Sequence, residues 1–344
     1  MLIFYLLLAL IVVVSLRYTK RDFNDGYLSF EMTNAVKGIF ILLVFIKHAI
    51  PYVINSGWTP IGIWGECFLL INNNVGQWVV AMFLFYSGYG VMESIKRKGQ
   101  NYVIELPQKR ILQVLVNFDI AVLIFTVVDL ILKKPLTIKQ CFLSLIGWDS
   151  VGNSNWYIFI IVLMYLITFV AFYRDSKTYY RQPLTLTVLL TLALCILLSY
   201  VKQEYWYNTM FCYTAGLFFS VHKNKVESLT KSYYWQMLIT LLILLLIADR
   251  IPYSAKGLVY NTFAVVFCFI VVLLTMKFRI NSPVLIWCGK NLFPLYIYQR
   301  VAMIVLSSIK DGAFAACYPV LFTASCFVIT VVITMAYRFI AVKL

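Results

Sequence analysis

Apolar runs of membrane-spanning length recur from one end of this 344-residue chain to the other, and they constrain its fold more than any other feature. A helix crossing a hydrocarbon core of ~30 Å needs roughly 17 to 25 predominantly apolar residues. Ten such runs lie at 36–54, 75–92, 111–132, 156–173, 184–201, 206–221, 233–251, 258–276, 284–309 and 313–337. An eleventh, at 2–16, lacks a basic start and a small-residue cleavage site, so it reads as an uncleaved anchor. The runs are continuous, without period-two alternation, and therefore specify helices and not barrel strands. With 62% hydrophobic and 12% charged residues the chain is far more apolar than a soluble domain allows. The expected fold is an all-α polytopic transmembrane helical bundle of ten core spans plus one extra N-terminal span. Residues 1–34 are expected to form the transmembrane anchor and a cytosolic loop, and 35–344 the ten-span domain. No low-complexity tract, linker or repeat is visible, and with seven residues after the last span no appended soluble domain is expected.

The net charge of +15 superficially suggests a nucleic-acid binder, but the basic residues are distributed by loop and do not gather in one domain. If the loop at 17–35 is cytosolic, alternation makes 93–110, 174–183, 222–232, 277–283 and the C-terminal residues cytosolic too. That side then holds nineteen Lys and Arg, with Lys37 counted at the edge of its span, against seven in the opposite loops and three inside spans (Lys47, Lys290, Arg300). This is the positive-inside pattern, and no nucleic-acid partner is expected. The eight cysteines show no CxxC pair and no metal spacing; most read as small buried hydrophobes. A disulfide between Cys67 and Cys141, both in outer loops, stays open.

Ionisable residues inside a membrane span are costly, at least ~2.5 to 3.5 kcal/mol each near the centre, and therefore informative. In VKGIFILLVFIKHAI (36–50), Lys37 and His48 are eleven residues apart, which is three turns plus ~20°, so both project from one face about 16 Å apart along the axis. Lys47 is rotated ~100° from His48 and faces another neighbour. Asp119 lies at a depth similar to Lys47, about 13 Å against about 15 Å, so a structural Lys47–Asp119 ion pair is expected.

Further clusters lie along the chain. FLFYSGYG (83–90) carries Ser87, Gly88, Tyr89 and Gly90, where small residues let helices approach closely. Lys109 and Arg110 open the next span at the cytosolic edge, suited to holding an anionic phosphate by charge-assisted hydrogen bonds. Trp156 and Tyr157 sit at the start of another span, as interfacial aromatics do. In WCGKNLFPLYIYQR (287–300), Gly289 and Pro294 interrupt an apolar run that also bears Lys290, Asn291, Gln299 and Arg300. A broken membrane helix is tolerated where it is buried in protein or lines a cavity.

In order, these segments resemble the acyltransferase 3 family of integral membrane acyltransferases, of which many O-acetylate cell-surface polysaccharides. The resemblance rests on a basic residue followed after ten residues by His (Lys37, His48), FLFYSGYG at 83–90, the basic segment through Lys109 and Arg110, NWYIF at 155–159 and GKNLFPLYIYQR at 289–300. It runs from about residue 30 to 310. Two departures stand out: the family's usual Arg is Lys37, and its second Arg, three residues after the one matched by Arg110, is Gln113. Lysine keeps the point charge but not the planar bidentate fork, which implies weaker donor binding or a different acyl donor.

The resemblance implies a multi-pass plasma-membrane enzyme whose donor is acyl-CoA, in the first place acetyl-CoA, with no permanently bound cofactor and no metal. His48 is the implied base, since imidazole titrates near neutrality. Lys37, Lys109 and Arg110 would hold the donor's phosphates. Ser87, Tyr89, Trp156, Tyr157, Gln299 and Arg300 are candidates for binding substrate or stabilising the oxyanion. The acceptor would be a hydroxyl of a polysaccharide or lipid-linked glycan, and a homo-oligomer is compatible with the sequence. A transporter or flippase for a lipid-linked sugar is the alternative from another class, because broken helices and mid-membrane charges also mark transporters. A family member that has lost activity and serves as a scaffold is a third.

Overall fold

A computed structural model of the chain describes residues 1–20, 23–174, 180–249 and 257–343. Arg21, Lys177, Arg250 and Lys256, which enter the charge count above, lie outside the described residues. In chain order the helices are α1 (Leu2–Ser15), α2 (Phe30–Asn55), α3 (Gly62–Asn74), α4 (Trp78–Lys98), α5 (Gln100–Leu106), α6 (Gln113–Ile131), α7 (Ile138–Leu145), α8 (Trp156–Phe172), α9 (Arg181–Val201), α10 (Phe211–Asp249), α11 (Gly257–Lys277), α12 (Pro283–Lys290), α13 (Leu292–Ser307), α14 (Ala313–Cys317) and α15 (Pro319–Ile340). The protein is nearly all-α. One short antiparallel ribbon departs from the all-helical expectation: β1 (Leu16–Tyr18) pairs with β2 (Phe278–Ile280), Arg17 opposite Arg279. It ties the end of α1 to the connection between α11 and α12.

Seven helical stretches among the described residues are long and apolar enough to cross a membrane, and α1, α8 and α13 are shorter apolar helices. Three local causes separate this from the ten expected core spans. The helix α8 has 17 residues. The run at 284–309 breaks at Asn291, which leaves the helical region at φ −103°, ψ 25°. The runs at 206–221 and 233–251 fall in one helical stretch, α10, which is interrupted where the backbone leaves the helical region at His222 (φ −102°, ψ 15°) and Tyr233 (φ −129°, ψ 34°). The polar stretch between them, expected as a loop, is helical because it contains neither Gly nor Pro and a helix satisfies its own backbone whatever its side chains.

Two glycine crossings fix the helices that matter for the site. A methyl group on Gly38 of α2 would overlap the Leu285 carbonyl of α12, and one on Gly289 of α12 would overlap the Asn34 carbonyl of α2. The same reciprocal contact joins α4 and α10, where Gly88 meets the Tyr213 carbonyl and Gly216 the Phe85 carbonyl. Close backbone approach through small residues is how helices gain packing where lipid supplies no hydrophobic drive. The outer faces of α9, α10 and α15 expose large apolar side chains, among them Leu197, Leu246 and Val332, as lipid-facing helices do. All eight cysteines, Cys67 and Cys141 included, are free thiols.

Candidate active site

The helix α2 carries both ends of the site. Ser29 caps it by accepting a hydrogen bond from the Met32 N–H at 3.2 Å. Near its other end Pro51 lacks an N–H and leaves the Lys47 carbonyl without its helical partner. Between these points Lys37 and His48 line two different cavities.

The first cavity, of about 1020 Å³, is lined among the described residues by six cations, Lys37, Lys109, Arg110, Lys290, Arg338 and Lys343, and by no Asp or Glu. Lys109 and Arg110 reach it from a π-helical turn, Pro107–Leu112, that joins α5 to α6. The wider turn re-aims its side chains relative to a regular helix, a device frequent at functional sites. Arg110 Nε donates to the Tyr102 hydroxyl at 3.2 Å, and Lys109 pairs with Glu105 at 2.9 Å on the exposed rim. Lys37 Nζ lies 5.9 Å from the Tyr86 ring centre, and Lys290 Nζ lies 5.4 Å from that of Phe30. The structure adds Lys290, Arg338 and Lys343 to the cations expected from sequence.

The second cavity, of about 380 Å³, is bounded by His48, Lys47, Asn73, Gln77, Trp156, Tyr205 and Tyr296, with valines and Gly76 between them. Three polar atoms on its lining residues are buried without a partner: His48 Nδ1, Gln77 Oε1 and the Tyr296 hydroxyl. That hydroxyl lies near Ser154 and the Tyr157 backbone without hydrogen-bonding geometry to either. Buried polar groups are nearly always satisfied, and exceptions call for an explanation. Gln77 and Tyr296 carried no sequence signal as a pair; only the fold brings α4, α13 and α2 together here.

A layer of aromatic rings separates the cavities. Tyr157 packs edge-on against Tyr296 with ring centres 5.4 Å apart, Phe83 packs against Tyr157 at 6.0 Å, and the His48 ring is 6.3 Å from that of Tyr296. The neighbours Trp156 and Tyr157 line opposite cavities.

The model of the acyltransferase 3 family, described as an acyltransferase domain, matches residues 33–338. This chain belongs to that family. The match begins in the first turn of α2 and ends near the close of α15, so it takes in the whole lining of the second cavity and all of the first except Phe30, Ala341 and Lys343, and leaves α1 outside. No curated protein and no solved structure matches the chain. The family makes the protein a membrane acyltransferase.

Within this acyltransferase the candidate residues separate. The expected Lys47–Asp119 ion pair is not formed: Lys47 Nζ donates instead to the Asn72 carbonyl at 2.7 Å, and Asp119 Oδ1 is buried without a partner. Equal depth was the basis of that expectation, but azimuth decides, and Lys47 turns toward the end of α3. Ser87 lines the cationic cavity and hydrogen-bonds the Tyr165 hydroxyl at 2.8 Å. Tyr89 lines neither cavity and packs on Phe219. Gln299 is fully buried, donating to the Tyr296 carbonyl at 3.0 Å. Arg300 Nε donates to the Tyr52 hydroxyl at 3.2 Å, and Arg300 Nη1 to the Asn153 carbonyl at 3.4 Å. Tyr52 is one turn beyond His48 on the same face of α2, so Arg300 braces this helix end and lies outside the cavity lining.

Proposed function

We propose that the protein transfers an acyl group, in the first place acetyl, from cytosolic acyl-CoA to a hydroxyl of a cell-surface or lipid-linked polysaccharide, across the plasma membrane. The observation that carries this is the placement of Lys37 and His48 on one helix face, in two cavities with a single aromatic layer between them. Six cations with no Asp or Glu among the described lining residues suit a polyphosphate ligand. The spacing of about 16 Å along α2 is comparable to the reach of the donor's extended arm. For the arm to reach His48 the Tyr157–Tyr296 contact must open.

In the reaction His48 accepts the proton of the acceptor hydroxyl as its oxygen attacks the thioester carbonyl. The new C–O bond forms, the C–S bond breaks, and the proton passes to the departing CoA thiolate. The Tyr296 hydroxyl, unpartnered beside the imidazole, donates to the developing oxyanion. Gln77 Oε1 accepts from a second acceptor hydroxyl, and the Trp156 and Tyr205 rings offer apolar faces to a sugar. A flippase would also use two cavities and a thin wall; stabilisation by CoA separates the readings, since a ligand that prefers the folded state raises its apparent stability. The deciding experiment is His48→Ala in purified, folded protein. Loss of transfer from acetyl-CoA to surface glycan with CoA binding kept is the expected result, and unaltered transfer would overturn the mechanism.

A further inference from the structure

Asn117 lies 225 positions from Val342 in the chain, and the two form a reciprocal pair of hydrogen bonds. Asn117 Nδ2 donates to the Val342 carbonyl at 2.9 Å, and the Val342 N–H donates to Asn117 Oδ1 at 3.0 Å. A carboxamide presents donor and acceptor on one edge as a peptide does, so here a buried side chain takes the place of a neighbouring strand. The paired segment is extended, following the last turn of α15. Ala341 and Lys343 on either side of Val342 line the cationic cavity, as do Asn117 and Arg338. Tyr337 packs against Phe293 and Tyr298 with ring centres 6.2 and 5.9 Å away, which fixes the end of α15. Residues 341–343 follow the region matched by the family.

We propose that this strap is a phosphate-reading rim: Arg338 and Lys343, held in place by the Asn117–Val342 pair, bind the ribose 3′-phosphate of the donor. The assignment rests on the acyl-CoA reading above and adds which phosphate is recognised and by what. Lys37 is partly buried, beside the Tyr86 ring, whereas Arg338 and Lys343 are exposed. A donor that enters arm first leaves its nucleotide end at the rim, and the 3′-phosphate is the group there that carries a dianion.

The test measures binding of CoA and 3′-dephospho-CoA to the purified full chain, to R338Q/K343Q and to Asn117→Leu. The expected result is roughly tenfold tighter binding of CoA than of dephospho-CoA by the wild type, a factor equivalent to about 1.4 kcal/mol. In both variants that ratio falls toward one while dephospho-CoA binding is unchanged, which a general loss of structure would not produce. A variant ratio still near ten, or a wild type indifferent to the 3′-phosphate, would overturn the rim while leaving the donor reading intact. A wild type that binds neither compound overturns both. If Asn117→Leu does not fold, the doubly substituted rim, whose side chains are exposed, decides the question alone.

Discussion

Tyr157 and Tyr296 meet edge-on at 5.4 Å, and that contact stands between the lysine of the cationic cavity and the histidine of the other. Edge-to-face rings in this range stabilise each other by about 0.5 to 1.5 kcal/mol beyond their burial, little enough for a ligand to separate them. On the proposed function, the wall is therefore a barrier that a bound ligand would shift.

Tyr296→Phe keeps the ring and removes the hydroxyl. Turnover is expected to fall by about 10²- to 10³-fold, as for loss of one oxyanion donor, while KM for acetyl-CoA is retained. Steady-state kinetics on purified protein measure both, and an unchanged kcat would remove Tyr296 from the reaction.

Gln77→Leu removes an acceptor atom that is buried without a partner. KM for a soluble glycan acceptor is expected to rise by about tenfold, the cost of one hydrogen bond to a buried acceptor atom, with CoA binding unaltered. Equal KM values for wild type and variant would place the acceptor elsewhere.

The glycines of FLFYSGYG differ in kind. Gly88 touches the Tyr213 backbone, whereas Gly90 has open space on its side toward the cationic cavity. Gly88→Ala forces α4 and α10 apart and is expected to cost about 1 to 3 kcal/mol or more; Gly90→Ala is expected to leave stability near that of wild type. Thermal unfolding in detergent compares them, and equal melting temperatures would contradict the crossing.

Lys47→Met and Asp119→Asn test the two separate environments. With Lys47 bonded to the Asn72 carbonyl and Asp119 unpaired, their effects on stability are expected to add within about 0.3 to 0.5 kcal/mol. A coupling energy well above that in the double-variant cycle would restore the ion pair.

Much of the architecture was legible because it is local. Apolar length marks a membrane helix wherever it occurs, and helix periodicity alone put Lys37 and His48 on one face. The break around residues 289–294 followed from Gly and Pro, although the backbone turns at Asn291 between them. The charged stretch at 222–232 ends where its polarity places the limits, with the backbone leaving the helical region at His222 and Tyr233, yet it is helical between them because polarity alone does not stop a helix.

What the tertiary structure alone decided are contacts between distant segments. Depth along a helix can be counted from sequence, but the direction a side chain faces depends on which helices pack beside it. That is why Lys47 finds Asn72 and not Asp119, why Trp156 and Tyr157 line opposite cavities, and why Gln77 and Tyr296 converge on His48. The Asn117–Val342 pair shows the limit most plainly: an asparagine is an ordinary residue in sequence, its Nδ2 bonded locally to the Gln113 carbonyl, and only the return of the chain after α15 pairs the donor and acceptor of its amide with one peptide.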